Sequence, residues 1–181
     1  RQEAVGGHFD VPGGDIRPTK DGDYEGIKTI YERAEHQAVW VQNHQSLKNS
    51  LPVCEYASMP STYYHPPEMD IRIFESKMLS AVTGKDNDVA RLWEAGECLW
   101  NLRRVIMVRR ENRTRNDDTL GPVWFEGTPK GQSLPVPLDR ARWDELVTRY
   151  YQLRGWDPKS GRPTRAKLEA LGMRNISRNM I

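Results

Sequence analysis

The stretch DNDVARLWEAGECLWNLRRVIMVRR, residues 86–110, decides the fold class. Val89, Leu92, Trp93, Gly96, Leu99, Trp100, Leu102 and Ile106 recur at helical spacing and draw a wide apolar stripe. Asp86 or Asn87 supplies the N-cap, because a short polar side chain there accepts from amides that the first turn leaves unpaired. The reading is one long helix ending near Arg110. Nothing in it alternates with a period of two, as a half-buried strand would.

Outward from this helix the same signals recur. On the N-terminal side, Ile27, Ile30, Tyr31, Ala34, Ala38, Val41 and Leu47 predict a helix from Tyr24 to about Ser50, with Asp23 as N-cap and Pro52 as its stop. Residues 51–69, with Pro52, Pro60, Pro66 and Pro67, read as irregular. A helix near Ile71–Val82 follows and halts at Gly84. On the C-terminal side, Asn112 to Leu138 reads as polar loop. Asp139 then caps a helix carrying Trp143, Leu146, Val147, Tyr150 and Leu153, with Gly155 just past its end. Thr164 caps a short helix closed by Gly172, and the tail from Arg174 is expected to be loose. The opening stretch, Arg1 to roughly Asp23, reads as loop, punctuated by Gly6-Gly7, Pro12-Gly13-Gly14 and Pro18. The expectation is an all-α chain with long loops. Residues 1–69 form a loop-and-helix segment and residues 70–181 a C-terminal helical domain.

Composition narrows the function classes. The chain has 181 residues and a net charge of +2, too balanced to suggest a nucleic-acid partner. Hydrophobic residues make up 37% and the mean hydropathy is −0.77, so a modest core leaning on other protein is expected. No apolar run is long enough to span a membrane, and no charged-then-apolar leader opens the chain. It begins at Arg1 rather than Met, which is what a processed or fragmentary chain would show. The two cysteines, Cys54 and Cys98, exclude a disulfide-rich scaffold and a self-contained zinc or iron–sulfur site.

Few residues carry chemistry by spacing alone. Gly13-Gly14 lacks the strand–turn–helix setting of a phosphate-binding fingerprint and reads as a flexible turn. Among His8, His36, His44 and His65 no metal-ligand pattern appears. His36 and His44 share a helix but lack a third ligand. Arg103, Arg104, Arg109, Arg110, Arg113 and Arg115 would suit a phosphate. The reading preferred here is a solvated helix end, paired with Glu111, Asp117 and Asp118.

Longer segments carry a resemblance. Trp100-Asn101-Leu102-Arg103-Arg104, the run from Arg109 to Leu120, Leu138-Asp139, the run from Tyr150 to Asp157, Gly161-Arg162-Pro163-Thr164 and the run from Leu168 to Gly172 occur in order. Together they resemble the C-terminal part of the aldehyde:ferredoxin oxidoreductase family over roughly residues 70–172. The resemblance implies a tungsten (or molybdenum) bis-pyranopterin cofactor and a [4Fe–4S] cluster. It also implies a partner in the N-terminal part of the same enzyme or another subunit, a ferredoxin-like electron carrier and a cytoplasmic location.

Site residues follow from the same likeness. The family's pterin-contacting element has the form Asp-x-x-Gly-Leu-Cys, and the matching segment here is Asn49-Ser50-Leu51-Pro52-Val53-Cys54. This implies Cys54 as an iron ligand and Asn49, Leu51 and Val53 as cofactor contacts, with Cys98 as a helical core residue. Asn49 stands where the family has Asp, Pro52 where it has Gly, and Val53 where it has Leu. The family's aldehyde oxidoreductases also place a histidine near the metal, and His8 precedes Cys54 at a similar spacing, without the Leu-Arg that usually follows. A catalytic proton role for His8 is implied. The implied reaction is oxidation of an aldehyde to a carboxylic acid. The rivals are an aryl-CoA reductase of the class II benzoyl-CoA reductase type, which the departures at Asn49 and Pro52 keep open and for which Arg113 and Arg115 would suit an acyl-CoA phosphate, and a non-catalytic helical partner.

Overall fold

Asp88, rather than Asp86 or Asn87, starts the long helix: its Oδ1 accepts from the Arg91 amide at 2.7 Å. Asn87 is spent on the preceding helix, where its side-chain amide donates to Thr83 Oγ1 and the Lys85 carbonyl, and its backbone N–H to Ser80 Oγ. Three adjacent polar residues all suit a cap, and contacts outside the helix choose among them. This is seen in a computed structural model that describes residues 31, 33–51, 72–126 and 138–178.

The described elements are α1 (Ala34–Ser50), α2 (Arg72–Thr83), α3 (Val89–Glu111), a 3₁₀ turn (Arg115–Asp117), α4 (Val123–Glu126), α5 (Arg140–Arg154), α6 (Arg165–Ala170) and α7 (Arg174–Arg178). Among the described residues there is no strand, only an isolated antiparallel bridge between Trp156 and Pro163. The all-α expectation holds. Local stop and start signals work as read. Gly84 and Gly155 take left-handed φ values of 67° and 69°. Asp139 accepts from the Arg142 amide and Thr164 from the Lys167 amide.

Four expectations give way. Residues 31 and 33 are not helical, and α1 starts at Ala34 after Arg33 at φ 61°; Asp23, the expected cap, lies outside the described residues. Tyr31 has another use. Its hydroxyl accepts from the Asp139 amide at 2.7 Å and its ring lies under the Arg142 guanidinium. Along α3 the buried face rotates past Leu92 and Gly96 to Asn101, Arg104, Val105 and Val108, leaving Ile106 exposed. The interval 112–138 contains the 3₁₀ turn and α4, and the tail from Arg174 begins with α7. These pieces are too short to print a periodicity.

The chain divides into two compact units, Arg1–Gly26 with Trp40–Leu102, and Ile27–Val39 with Arg103–Ile181. In the first unit, Trp40 packs on Trp93 with ring centroids 5.7 Å apart, and Trp40, Val41, Leu47 and Leu92 are buried. Gly96 lets the two backbones meet, since a Cβ there would run into the carbonyl oxygen of Asn43. In the second unit Tyr151, Trp156 and Leu168 are buried together with the charged Arg104 and Arg154.

Gly96 gives a prediction whose sign runs against helix propensity. Gly to Ala in a helix interior normally stabilises by about 1 kcal/mol. Here the obstacle is backbone, which cannot swing aside, and overpacking costs about 1–3 kcal/mol. Gly96→Ala therefore lowers the denaturant midpoint of the assembled protein. A raised midpoint would contradict the close approach.

Candidate functional site

Two of the five site residues implied by the resemblance lie in the described chain, at the end of α1. The Leu51 amide donates to both the Leu47 and Lys48 carbonyls, at 3.1 and 3.2 Å, and so continues the helix by a bifurcated bond. Asn49 is exposed, and its Oδ1 accepts from Gln45 Nε2 one turn earlier at 3.0 Å. Leu51 is half-buried. Ser46 and Ser50 hydroxyls return to carbonyls four residues back, which fills the polar needs of the final turns locally. His8, Val53 and Cys54 lie outside the described residues.

Behind this helix end is a polar pair that local spacing gave no hint of. His44, 4% exposed, donates from Nε2 to Glu75 Oε1 at 3.1 Å, from α1 to α2 across 31 residues of sequence. The second Glu75 oxygen is buried without a hydrogen-bond partner. The His44 ring also leans on Trp40, with centroids 5.0 Å apart. His36, paired with His44 in the sequence reading, is exposed. Cys98 is half-buried within α3. Among the described residues no three His, Cys, Asp or Glu side chains gather as a metal site, and no helix is long and apolar enough to cross a membrane.

The arginine cluster resolves into a hub on Asp118. Arg104 reaches both carboxylate oxygens, Nη1 to Oδ1 at 3.0 Å and Nη2 against Oδ2 at 2.6 Å, while its Nε donates to the Gly161 carbonyl at 2.8 Å. Arg113 Nε donates to Oδ1 at 2.9 Å and the Tyr151 hydroxyl to Oδ2. The Arg104 guanidinium lies over Trp156, 4.9 Å from the ring centre. Gly161, at φ 71°, is required: a Cβ would come within 2.5 Å of Arg104 Nη2. Arg115 holds a separate set, donating to the Pro158 carbonyl, the Asp144 carbonyl and carboxylate and Thr148 Oγ1. The solvated-helix-end reading fails for Arg104, which is only 5% exposed. Its aliphatic neighbours do not set the buried face; its carboxylate and aromatic partners do.

Electrostatics agree with the geometry. Burial by itself raises the Asp118 carboxyl, but hydrogen bonds from Arg104, Tyr151 and Arg113 outweigh it and hold the group below the ordinary carboxylate range. Burial, and then the Asp118 carboxylate, push the Tyr151 phenol well above its usual value. The hydrogen bond to Asp118 outweighs burial and raises Arg113. The arrangement keeps one anion among two cations and a neutral phenol. It locks structure and does not poise a proton for transfer.

A family model described as "Aldehyde ferredoxin oxidoreductase, domains 2 & 3" matches residues 10–173. The chain is 33% identical over 97 residues to the tungsten-containing aldehyde ferredoxin oxidoreductase of Pyrococcus furiosus, and 34% identical over 97 residues to that of Thermococcus kodakarensis. Each alignment covers 53% of this chain and 15% of the relative.

The hub predicts an acid limit to stability. A carboxyl held low in the folded state contributes stability above its unfolded value of about 3.9, and loses that contribution as pH falls through its folded value. Asp118→Asn strands the buried Arg104 charge, a loss of about 3–5 kcal/mol at neutral pH. Its stability then falls less steeply than the parent's as pH drops below about 4. Unfolding midpoints from pH 7 to 3 measure both effects, and a neutral-pH midpoint equal to the parent's would refute the hub.

Proposed function

The chain belongs to the aldehyde ferredoxin oxidoreductase family, and from that premise we propose that it is the C-terminal part of a tungsten (or molybdenum) bis-pyranopterin, iron–sulfur oxidoreductase. The proposed reaction converts an aldehyde and water into a carboxylic acid, releasing two protons and two electrons. A ferredoxin-like carrier takes the electrons, in the cytoplasm. The chain spans about 15% of the length of the curated relatives it matches, so the rest of the site belongs to an N-terminal part of the same enzyme or to another subunit.

The observation that supports this reading is the way α1 ends. Asn49 is presented exposed on the last turn, and the chain leaves the helix at Leu51, three residues before Cys54. The donor set fits the implied groups. A thiolate is the soft ligand an iron cluster needs, and the exposed Asn49 amide offers both a donor and an acceptor to a pterin edge. One thiolate fills one corner, so three further ligands come from elsewhere in the enzyme.

The metal–pterin unit would supply the two-electron chemistry and the cluster the one-electron exit. This chain's residues do the rest. Cys54 holds one iron, Asn49 meets the pterin with a neutral amide where the family has a carboxylate, and Leu51 and Val53 exclude water beside it. His8 accepts a substrate proton on its imidazole. The aryl-CoA rival drew on Arg113 and Arg115 for a phosphate. Both guanidiniums are engaged by protein acceptors, Arg113 by Asp118 and Arg115 by Asp144, Thr148 and Pro158, which favours the aldehyde reading.

Two substitutions in the assembled enzyme test the reading. Cys54→Ala converts or destabilises the cluster and slows electron exit, whereas Cys98→Ala retains the full iron count. Electron paramagnetic resonance of the reduced proteins with iron counted per assembly makes the comparison, and an unaltered four-iron signal in Cys54→Ala sinks the assignment. His8→Asn lowers turnover about a hundredfold with metal and cluster content intact. Unchanged turnover would return His8 to an ordinary loop histidine.

A further inference from the structure

We propose that the apolar run at residues 120–125, with Trp124 at its centre, is a docking surface on which the N-terminal part of the same enzyme sits. The inference rests on the reading of this chain as the C-terminal part of a larger oxidoreductase.

Leu120-Gly121-Pro122-Val123-Trp124-Phe125 carries no charge, in a chain of which 29% is charged. Gly121 and Pro122 are exposed, and Val123 and Trp124 are 42% and 44% exposed. Trp124 alone of the six tryptophans is exposed; the other five are buried or half-buried. Its side chain makes no hydrogen bond or ring contact among the described residues. Single exposed hydrophobes are ordinary on a protein surface. A consecutive exposed run marks a place where something binds.

The run is held in shape from behind. The Trp124 amide donates to the Gly121 carbonyl at 3.1 Å, and the Phe125 and Glu126 amides both donate to the Pro122 carbonyl at 2.9 Å. The Trp124 carbonyl accepts from the Leu138 amide at 2.7 Å, which ties α4 to the start of α5. Phe125 is half-buried, edge-on to Trp143 with ring centroids 6.4 Å apart, and the Arg140 guanidinium lies 4.3 Å from its ring centre. Glu126 and Arg140, both well exposed and 3.9 Å apart, form a charged rim beside it. With its backbone fixed before any partner arrives, the surface loses little freedom on binding. An aromatic centre with a charged rim is the anatomy of an interface, and tryptophan is among the side chains that dominate binding energy.

Size and chemistry choose the occupant. The matched family region is described as domains 2 and 3, which implies a first domain, and each alignment covers only 15% of the relative. A second copy of the chain would need roughly 800 Å² on each side for a stable contact, more than six residues and two rim charges present. A domain on the same polypeptide is tethered, at an effective concentration near millimolar for a short linker, so a small patch suffices to seat it. A soluble electron carrier has to leave after each transfer, and such encounters use small, weak surfaces. An apolar patch centred on tryptophan holds its partner and suits a permanent contact.

The test is made on the full-length enzyme. With Trp124 replaced by the photoreactive benzoylphenylalanine, irradiation joins position 124 to a peptide that precedes this chain, identified by mass spectrometry. In the Val123→Cys protein, maleimide reaches position 123 about tenfold more slowly in the folded enzyme than after denaturation. If the position 124 variant does not assemble, the same photoreactive residue at position 123 is read in its stead. An adduct confined to this chain, or formed with a second copy or an added electron carrier, overturns the inference. Equal labelling of position 123 in the folded and denatured enzyme overturns it as well. Such a failure leaves the cofactor reading standing as long as Cys54→Ala abolishes the four-iron signal. If Cys54→Ala keeps that signal, the cofactor reading falls, while an adduct with the preceding part still supports the docking surface.

Discussion

A single carboxylate organises the second unit. Asp118 accepts from Arg104, Arg113 and Tyr151, and through them it joins the last turns of α3, the segment after the 3₁₀ turn, α5 and the Gly161 turn. Arg104 is buried between this carboxylate, the Gly161 carbonyl and the Trp156 ring. A guanidinium in that place without an anion would cost more than the surrounding apolar contacts return. The aromatic residues contribute area, but their arrangement follows the charge: Tyr151 places its hydroxyl on Asp118, and the Trp156 ring lies under the Arg104 guanidinium. A chain of only 37% hydrophobic residues gains order here from a network of ion pairs and hydrogen bonds in place of a larger core.

What was legible in the sequence was local. Asp139, Gly155, Thr164 and Gly84 act within four residues of themselves, through one amide bond or one left-handed φ, so the residue type announces the geometry. The cap of α3 was ambiguous because Asp86, Asn87 and Asp88 all qualify locally, and Asn87 is diverted by Ser80 and Thr83. The apolar stripe along α3 holds at Leu92 and Gly96, but towards the C-terminal end, where it predicts Leu102 and Ile106, the buried residues are Asn101, Arg104, Val105 and Val108. Hydropathy ranks an arginine as a surface residue, and only its distant partner, 14 residues on, reverses that. The His44–Glu75 pair was illegible for the same reason at longer range.

The residues that carry the family likeness overlap strongly with the hub. Arg104, Arg113, Asp118, Tyr151, Trp156 and Gly161 all fall in the segments that align with the family, and all are spent on holding the second unit together. The likeness over this part of the chain therefore speaks to fold and says little about reacting atoms. The positions for which cofactor contacts are proposed are Asn49 and Leu51, which are described, and Val53 and Cys54, which are not. Two different parts of the sequence thus answer two different questions.

The two units reach order by different physics. The first relies on shape, with a glycine admitting a neighbouring backbone, paired indoles and one directional hydrogen bond. The second relies on charge, with arginines satisfied by carboxylate, carbonyl and ring faces. Shape tolerates substitution poorly in volume and charge tolerates it poorly in protonation. Asn49 and Leu51 belong to the unit built on shape, where Trp40 packs on Trp93 and the Asn43 backbone meets Gly96. A proton taken up at Asp118 loosens one unit through its charge, while the frame behind Asn49 and Leu51 keeps its own determinants.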